Sequence, residues 1–575
     1  ADDGNLQFVE MYRFAKEFDP GRPCWYTDGL WVAVVNATAV ACKDGADPTN
    51  NYCFMDVFVP SGVWANTQST PSTASGLPPN LAKPTLVHEA VDGRTFPRLL
   101  QQLSLISQSL FQPAAEFWYG NPLREMTRLG LAAENELWAL ASERVYTMRM
   151  KAFLENYILD PATSGYEWWL GWSWPGANNG IFDGDEECIL PKSGINKSIL
   201  TYLQSEITVL VKNPVALQST AYQSGTSFSL DLLVSNLTLG GKPEWGVAAG
   251  ELTWEAVLNG TSVHRGSIML DSGSLPQGTL KTVGTASFVF PSVLNPAKVD
   301  FRVAVKVQSD IVARNHWLLG LFPAPTASTA CSFPVYATSP QLLPAVKQIC
   351  SNAQLLPETR LPPSGPFVAV VDPKTNTSKE LVAAAYLAGG ILVLLSPTAT
   401  VTDQGLALPI PTWTHIAYWM DEGTTGTLAY NHTDRMAIFG EFLDYRWKDL
   451  VDKGLAYSID AAGGQPSTKV HIRYLPTAGH YITNAAGVDA YVSDIHNYAL
   501  LWEAEIPHVK NERGSFPGSV RSSPGSGRSI TCGLALLDAE GQLKATMQAA
   551  TALRHILLYA LDLAQAGLDD LVRYV

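Results

Sequence analysis

The 575-residue sequence predicts a multidomain protein of α/β plus β class. Three observations carry that reading. Residues 1–204 alternate helical and strand signals, as a parallel α/β unit does. Residues 205–325 change to alternating strands separated by turns, the signature of a β-sandwich. After a Pro/Ser/Thr-rich linker over 326–343, β/α alternation returns in 344–575 with β-rich insertions. A chain of this length exceeds one core, so three or four domains are expected.

The elements follow in order. "LQFVEMYRFAKEF" has apolar residues at helical spacing and stops at Asp19-Pro20-Gly21. "RPCWYTDG", "YCFMDVFVP" and "PTLVHE" read as strands, and a long helix over about Asn135–Leu159 stops before Asp160-Pro161. "GYEWWLGWSWPG" reads as an aromatic strand running into a turn. The sandwich strands are "SFSLDLLVSNLTL", "ELTWEAVLNG", "TASFVF", "VDFRVAVKV" and "HWLLGLFP". Beyond the linker come strand "FVAVVD", a helix near Lys379–Leu387, Gly389-Gly390 and strand "ILVLLSP". Strand "SITCGLALLD" and an amphipathic helix from about Thr546 to Ala564 close the chain.

Composition narrows the function classes. Charged residues make up 16%, below the roughly 25% of ordinary soluble proteins. Net charge is -14 with no Lys/Arg cluster in sequence, which argues against nucleic acid as a partner. The most apolar run, "ELVAAAYLAGGILVLLSP", is short for a membrane span and broken by Gly-Gly. A helix, a turn and a buried strand account for it better. Sequons at Asn36, Asn196, Asn236, Asn259, Asn376 and Asn431, with the low charge, favour a secreted glycoprotein, extracellular, cell-surface or vacuolar/lysosomal. The seven cysteines form no CxxC pair and no zinc pattern. In an oxidising compartment, loops closed by Cys42 and Cys53 and by Cys331 and Cys350 both fit, and the odd count leaves a thiol over.

Two short stretches carry the candidate chemistry. In "KPTLVHEAVDGRTFP" an apolar strand ends on His88-Glu89. A carboxylate at the C-terminal end of a barrel strand can attack an anomeric carbon. The same Glu also reads as a solvated residue at a strand–helix turn. In "GYEWWLGWSWPGANNGIFDGD", alternation puts Trp168, Trp172 and Trp174 on one face and Trp169 on the other. Flat rings beside Asn178, Asn179 and Asp183 suit a sugar, which offers an apolar CH face and hydroxyls. Packed core tryptophans are the competing reading, and the better one for Trp169.

These stretches resemble glycoside hydrolase family 2, the β-galactosidase and β-glucuronidase family. "DPGRPCWYTD" over 19–28 is similar to the "D-P-x-R-P" passage of that family's catalytic barrel. "KPTLVHEAVDGRTFP" resembles its seventh-strand motif, and the Trp-rich stretch its eighth strand. "NHWLLGLFP" is similar to the last strand of the Ig-like domain that follows the barrel, and the C-terminal part to a glutamine-amidotransferase-like domain. The resemblance implies the C-terminal half of a (β/α)8 TIM barrel, an Ig-like β-sandwich and a flavodoxin/amidotransferase-like α/β domain.

For function, the resemblance implies a secreted retaining β-glycosidase acting by double displacement, with Glu89 as nucleophile. Trp168, Trp172 and Trp174 would form the sugar platform, and Asp28, Asp56, His88 and Asn178 would contact hydroxyls. No cofactor or metal is implied. The family's acid/base Glu belongs to an Asn-Glu motif that "ADDGNLQFVEMYRFAKEFDP" lacks, and Glu10, inside the helix, does not take that role. A full barrel needs about 250 residues and eight strands, whereas residues 1–200 give about four. The other half is therefore expected from an N-terminal part of the same precursor or from a second polypeptide. Its acid/base carboxyl would lie about 5–5.5 Å from Glu89. A homo-oligomer is compatible with the family.

Departures keep a second class open. Ala90-Val91-Asp92-Gly93 replaces the Gly-Gln that usually follows the His-Glu pair after one residue, and Ser173 stands where that branch carries Asp. A catalytically degenerate extracellular scaffold or carbohydrate-binding protein fits these changes. In the C-terminal region neither Cys350 nor Cys532 sits in a Gly-flanked strand-to-helix elbow, so a noncatalytic domain is expected. His480, His496 and His508 are scattered and suit loop or core roles.

Overall fold

The structure is a computed structural model. It describes residues 13–22, 86–90, 95–106, 119–160, 163–168, 180–183, 190–191, 197–238, 249–271, 273, 275–324, 328–356, 362, 365–372, 379–397, 413–415, 427–429, 450, 454–458, 468–474, 480–483, 489–492, 498–506 and 527–574. Within them the chain is a mixed α/β protein with several sheets.

In the first region, strands β1 (Leu86–Ala90) and β2 (Gly165–Trp168) pair in parallel. Between them in sequence lie helices α1 (Leu99–Ile106), α2 (Asn121–Arg128) and α3 (Asn135–Leu159). Helix α3 has the predicted limits, because the residue before Pro161 is driven out of helical conformation. Asp160 is extended there, with ψ 112°. Of the other strands expected before residue 86, "RPCWYTDG" and "YCFMDVFVP" lie outside the described residues.

Helices α4 (Lys197–Leu203) and α5 (Pro214–Ser219) flank the sandwich. Its strands are β3 (Ile207–Val211), β4 (Ala221–Gln223), β5 (Ser227–Asn236), β6 (Gly250–Leu258), β7 (Thr261–Leu270), β8 (Thr279–Val289), β9 (Ala297–Val307) and β10 (Asp310–Phe322). They form a three-stranded sheet, β8-β5-β3, facing a five-stranded one, β4-β10-β9-β6-β7. Alternate residues of both, among them Val209, Leu232, Phe288, Phe301 and Trp317, meet in one core. Strands β3, β4 and β7 were not anticipated, β4 being only three residues long. Strand β3 is a continuous buried run without alternation, and β7 is an edge strand whose exposed residues blur the pattern.

Two sequons fall in this sandwich and differ sharply. Asn259-Gly260 forms the two-residue β6–β7 turn with both φ positive, +50° and +77°, as a type I′ hairpin requires. Asn259 is exposed. The Asn236 side chain is fully buried: Nδ2 donates to the Leu275 carbonyl at 2.8 Å, and Oδ1 accepts from the Thr238 amide at 3.1 Å. An acceptor amide held this way cannot reach a transferase in the folded chain. In a secretory host, Asn259 should carry a glycan and Asn236 none. Peptide mapping after enzymatic deglycosylation reads this directly, and an occupied Asn236 would refute it. The other sequons, Asn36, Asn196, Asn376 and Asn431, lie outside the described residues.

The C-terminal region is built on parallel strands β11 (Val335–Ala337), β12 (Gln354–Leu355), β13 (Val368–Val371), β14 (Ile391–Leu395) and, far along the chain, Arg528–Cys532. They lie side by side as β12-β11-β13-β14 and then Arg528–Cys532. Helix α6 (Leu343–Ile349) and the terminal helix, Met547–Tyr574, cover one face. Helix α7 (Lys379–Ala388) covers the other. Strands β11, β13 and β14 are buried on both faces, so they read as unbroken apolar runs. The run that superficially suggested a membrane span is α7, a turn and β14. Gly390 is required there, since a Cβ would come within 2.8 Å of the Phe367 ring. Among the described residues no helix is long and apolar enough to cross a membrane. The terminal helix extends ten residues past its expected end, to Tyr574.

Cys331 and Cys350 form a disulfide, and Asn352 clamps the same point by accepting from the Cys331 amide and donating to its carbonyl. Removing both cysteines as Ala should cost about 3 kcal/mol from loop-closure entropy. Urea unfolding followed by near-UV signal measures it, and an unchanged midpoint would contradict it.

Candidate active site

Of the residues expected to form the site, His88, Glu89 and Trp168 lie on the β1/β2 pair. The register sets Leu86 opposite Gly165, Val87 opposite Tyr166 and, past an irregularity, Ala90 opposite Trp168. His88 and Glu89 are thus on the last turnings of β1, and Trp168 ends the adjacent strand at the same carboxyl end. Backbone placement brings these three together. Trp172, Trp174, Asn178, Asp28 and Asp56 lie outside the described residues.

A Cβ on Gly165 would stand 3.1 Å from the Leu86 side chain, so the position favours the smallest residue. Helix α3 packs beside the pair, with Tyr157 stacked on Tyr166 at 5.9 Å between ring centroids.

The chain after β1 is pinned to α3. The Phe96 amide donates to Ser142 Oγ at 2.8 Å, and the Leu99 amide to Asn135 Oδ1 at 3.0 Å. Asn135 Nδ2 returns a bond to the Pro97 carbonyl at 2.9 Å. Arg98 pairs with Glu136, Nε to Oε2 at 3.0 Å, and with buried Glu143. The Phe96-Pro97 pair noted in the sequence belongs to this anchor: Phe96 is buried edge-on against Trp138, with centroids 5.1 Å apart.

Sequence reasoning missed the other polar face of α3. Glu143, Thr147, Lys151 and Glu155 recur every fourth residue, and all are buried. Lys151 pairs with Glu155, which also accepts from Asn315 Nδ2 at 2.8 Å and Trp317 Nε1 at 3.1 Å on β10. Burial lowers the Lys151 pKa, and the Glu155 charge opposes that shift without cancelling it. At the helix start, Glu134 pairs with Arg473 at 3.0 Å. The fourfold spacing of Glu143, Thr147, Lys151 and Glu155 along one helix face was the available signal.

The C-terminal domain has neither cysteine poised for attack. Cys350 is in the disulfide, and Cys532 is fully buried, its thiol pushed up to about 12 by burial. Among the described residues no group of His, Cys, Asp and Glu could hold a metal.

No protein-family model and no curated protein matches the chain. Among solved structures, the sporulation control protein Spo0M from Bacillus subtilis aligns over 21% of this chain and 50% of its own, at 12% identity and TM-score 0.14. A putative β-galactosidase from Bacteroides fragilis aligns over 34% of each chain, at 9% identity and TM-score 0.14. A β-glucuronidase from glycoside hydrolase family 2 aligns over 53% of this chain and 29% of its own, at 12% identity and TM-score 0.19. The chain spans half or less of each of these structures. At these TM-scores none of them decides the fold or the activity.

Proposed function

We propose that this chain is the C-terminal part of a secreted, retaining β-glycosidase of the family-2 type. Glu89 attacks C1 of the sugar, and a glutamate from an N-terminal part or second polypeptide protonates the leaving oxygen and later activates water. Trp168, Trp172 and Trp174 form the sugar platform, while His88, Asp28, Asp56 and Asn178 meet hydroxyls. The observation that supports this reading is the parallel β1/β2 register, which sets Glu89 and Trp168 near the carboxyl ends of neighbouring strands. Strand ends of that polarity are where barrels keep their reacting groups.

The domain reading is that of half a barrel, an Ig-like sandwich and an amidotransferase-like domain. In chain order the five parallel C-terminal strands run second, first, third, fourth, fifth, the order of doubly wound flavodoxin-like sheets. The disulfide, the sequon in the Asn259 turn and the low charge support an extracellular location.

A panel of 2-deoxy-2-fluoroglycosides tests the chemistry. The fluorine slows hydrolysis of the glycosyl-enzyme, so a mass increment should appear on the peptide containing Glu89. Label on another carboxylate would overturn the assignment. The second reading, a degenerate scaffold, draws on Ala90-Val91-Asp92-Gly93 after the His-Glu pair and on Ser173. An Asn-Glu motif in the completing half would count against it.

A further inference from the structure

The outer face of the five-stranded sheet concentrates cations in a chain whose net charge is -14. Register sets Arg302 of β9 between His316 of β10 and Glu255 of β6, and Glu255 opposite Arg265 of β7. Two residues along β9, Ala304 lies opposite Arg314, and two further on stands Lys306. These residues line one groove of about 950 Å³, which Ser198 and Tyr202 of α4 also border.

The basic side chains divide into two kinds. Arg302 Nε donates to Asp300 Oδ2 at 2.7 Å, and His316 Nδ1 lies 2.9 Å from Asp300 Oδ1. Burial pushes the Asp300 carboxyl up, but those hydrogen bonds and charges outweigh it and hold the group below its ordinary value. Asp300 therefore stays anionic and fixes its two partners in place. Arg265, Lys306 and Arg314 form no ion pair with any described residue, and both arginines are exposed. Free guanidinium groups are forks that match carboxylate and sulfate oxygens.

The geometry favours a sugar chain over a peptide. The groove crosses the face of the sheet, so an extended peptide could make ladder bonds at the free edge of β7 but would then lie in the plane of the sheet, outside the groove. Strand spacing sets β7 about 9.6 Å from β9, and Arg302 about 13 Å from Lys306. Charges spaced like that meet an anion repeated along a polymer. Thr253, Ser267 and Tyr202 supply hydroxyls between them. We propose that this groove binds an anionic oligosaccharide, carboxylated or sulfated. Binding there requires no chemistry at Glu89.

Calorimetric titration of the full chain with hexagalacturonate, a heparin-derived hexasaccharide, cellohexaose and hexaglutamate tests the proposal. At least one anionic sugar should bind, more weakly as salt rises, and cellohexaose should not. Which anionic sugar binds separates carboxylate from sulfate recognition. The double variant Arg265→Ala/Arg314→Ala should lose about tenfold in affinity while keeping its thermal unfolding midpoint. If that variant melts early, Lys306→Gln carries the same test, with about threefold loss. Failure of both anionic sugars to bind, unchanged affinity in the variants, or hexaglutamate binding as tightly as the sugars would overturn it.

Discussion

Glu155→Ala is expected to destabilise the folded chain by about 3–5 kcal/mol, the cost of leaving a buried charge without its partner. Glu155 is fully buried, and its carboxylate serves the Lys151 ammonium, the Asn315 amide and the Trp317 indole together. Lys151 has no alternative in water: it is almost wholly buried and sits over the Trp317 ring, 4.6 Å from the centroid. Truncation strands one cation and two donors at once. The paired replacement Lys151→Met/Glu155→Leu should be much milder, because exchanging a whole buried ion pair for apolar volume is often close to neutral. Urea unfolding of the two variants decides between them. Equal losses would mean that packing, not charge, dominates at this position.

Glu89→Gln is expected to lower turnover on the order of 10⁴-fold, as loss of a covalent nucleophile does, with little change in unfolding midpoint. The assay uses material that carries the completing half of the barrel. Glu89→Ala supplied with azide should regain part of the activity and release a glycosyl azide of inverted configuration, because the small anion attacks where the carboxylate stood. A surface glutamate at a strand–helix turn would show none of this. Wild-type turnover in Glu89→Gln would end the nucleophile assignment.

Much of the architecture was legible because it is written in periodicity. Helix α3 was delimited by Asp160-Pro161, and most sandwich strands by alternation between turn residues. Strand β3 escaped because a run buried on both sides has no alternation, and β7 because an edge strand has little to hide. Of the candidate site, the adjacency of β1 and β2 followed from motif order, and their register agrees with it. The buried ion pairs of α3 were invisible for a different reason. Burial of Glu143, Lys151 and Glu155 depends on partners at Arg98, Asn315 and Trp317, far away in sequence.

Those partners also bear on how this chain could have been assembled or taken apart. Helix α3 and the residue before it hand carboxylates to three neighbours: Glu134 to Arg473, Glu136 and Glu143 to Arg98, and Glu155 to the sandwich strand β10. A sequence boundary near residue 204 therefore does not mark a detachable module. Excising the sandwich would leave Glu155 and Lys151 facing a void, and grafting another sandwich would need an Asn and a Trp in the same register. Shuffling of such pieces between proteins is penalised at the seam, so α3 and the sandwich are expected to travel together as one heritable block.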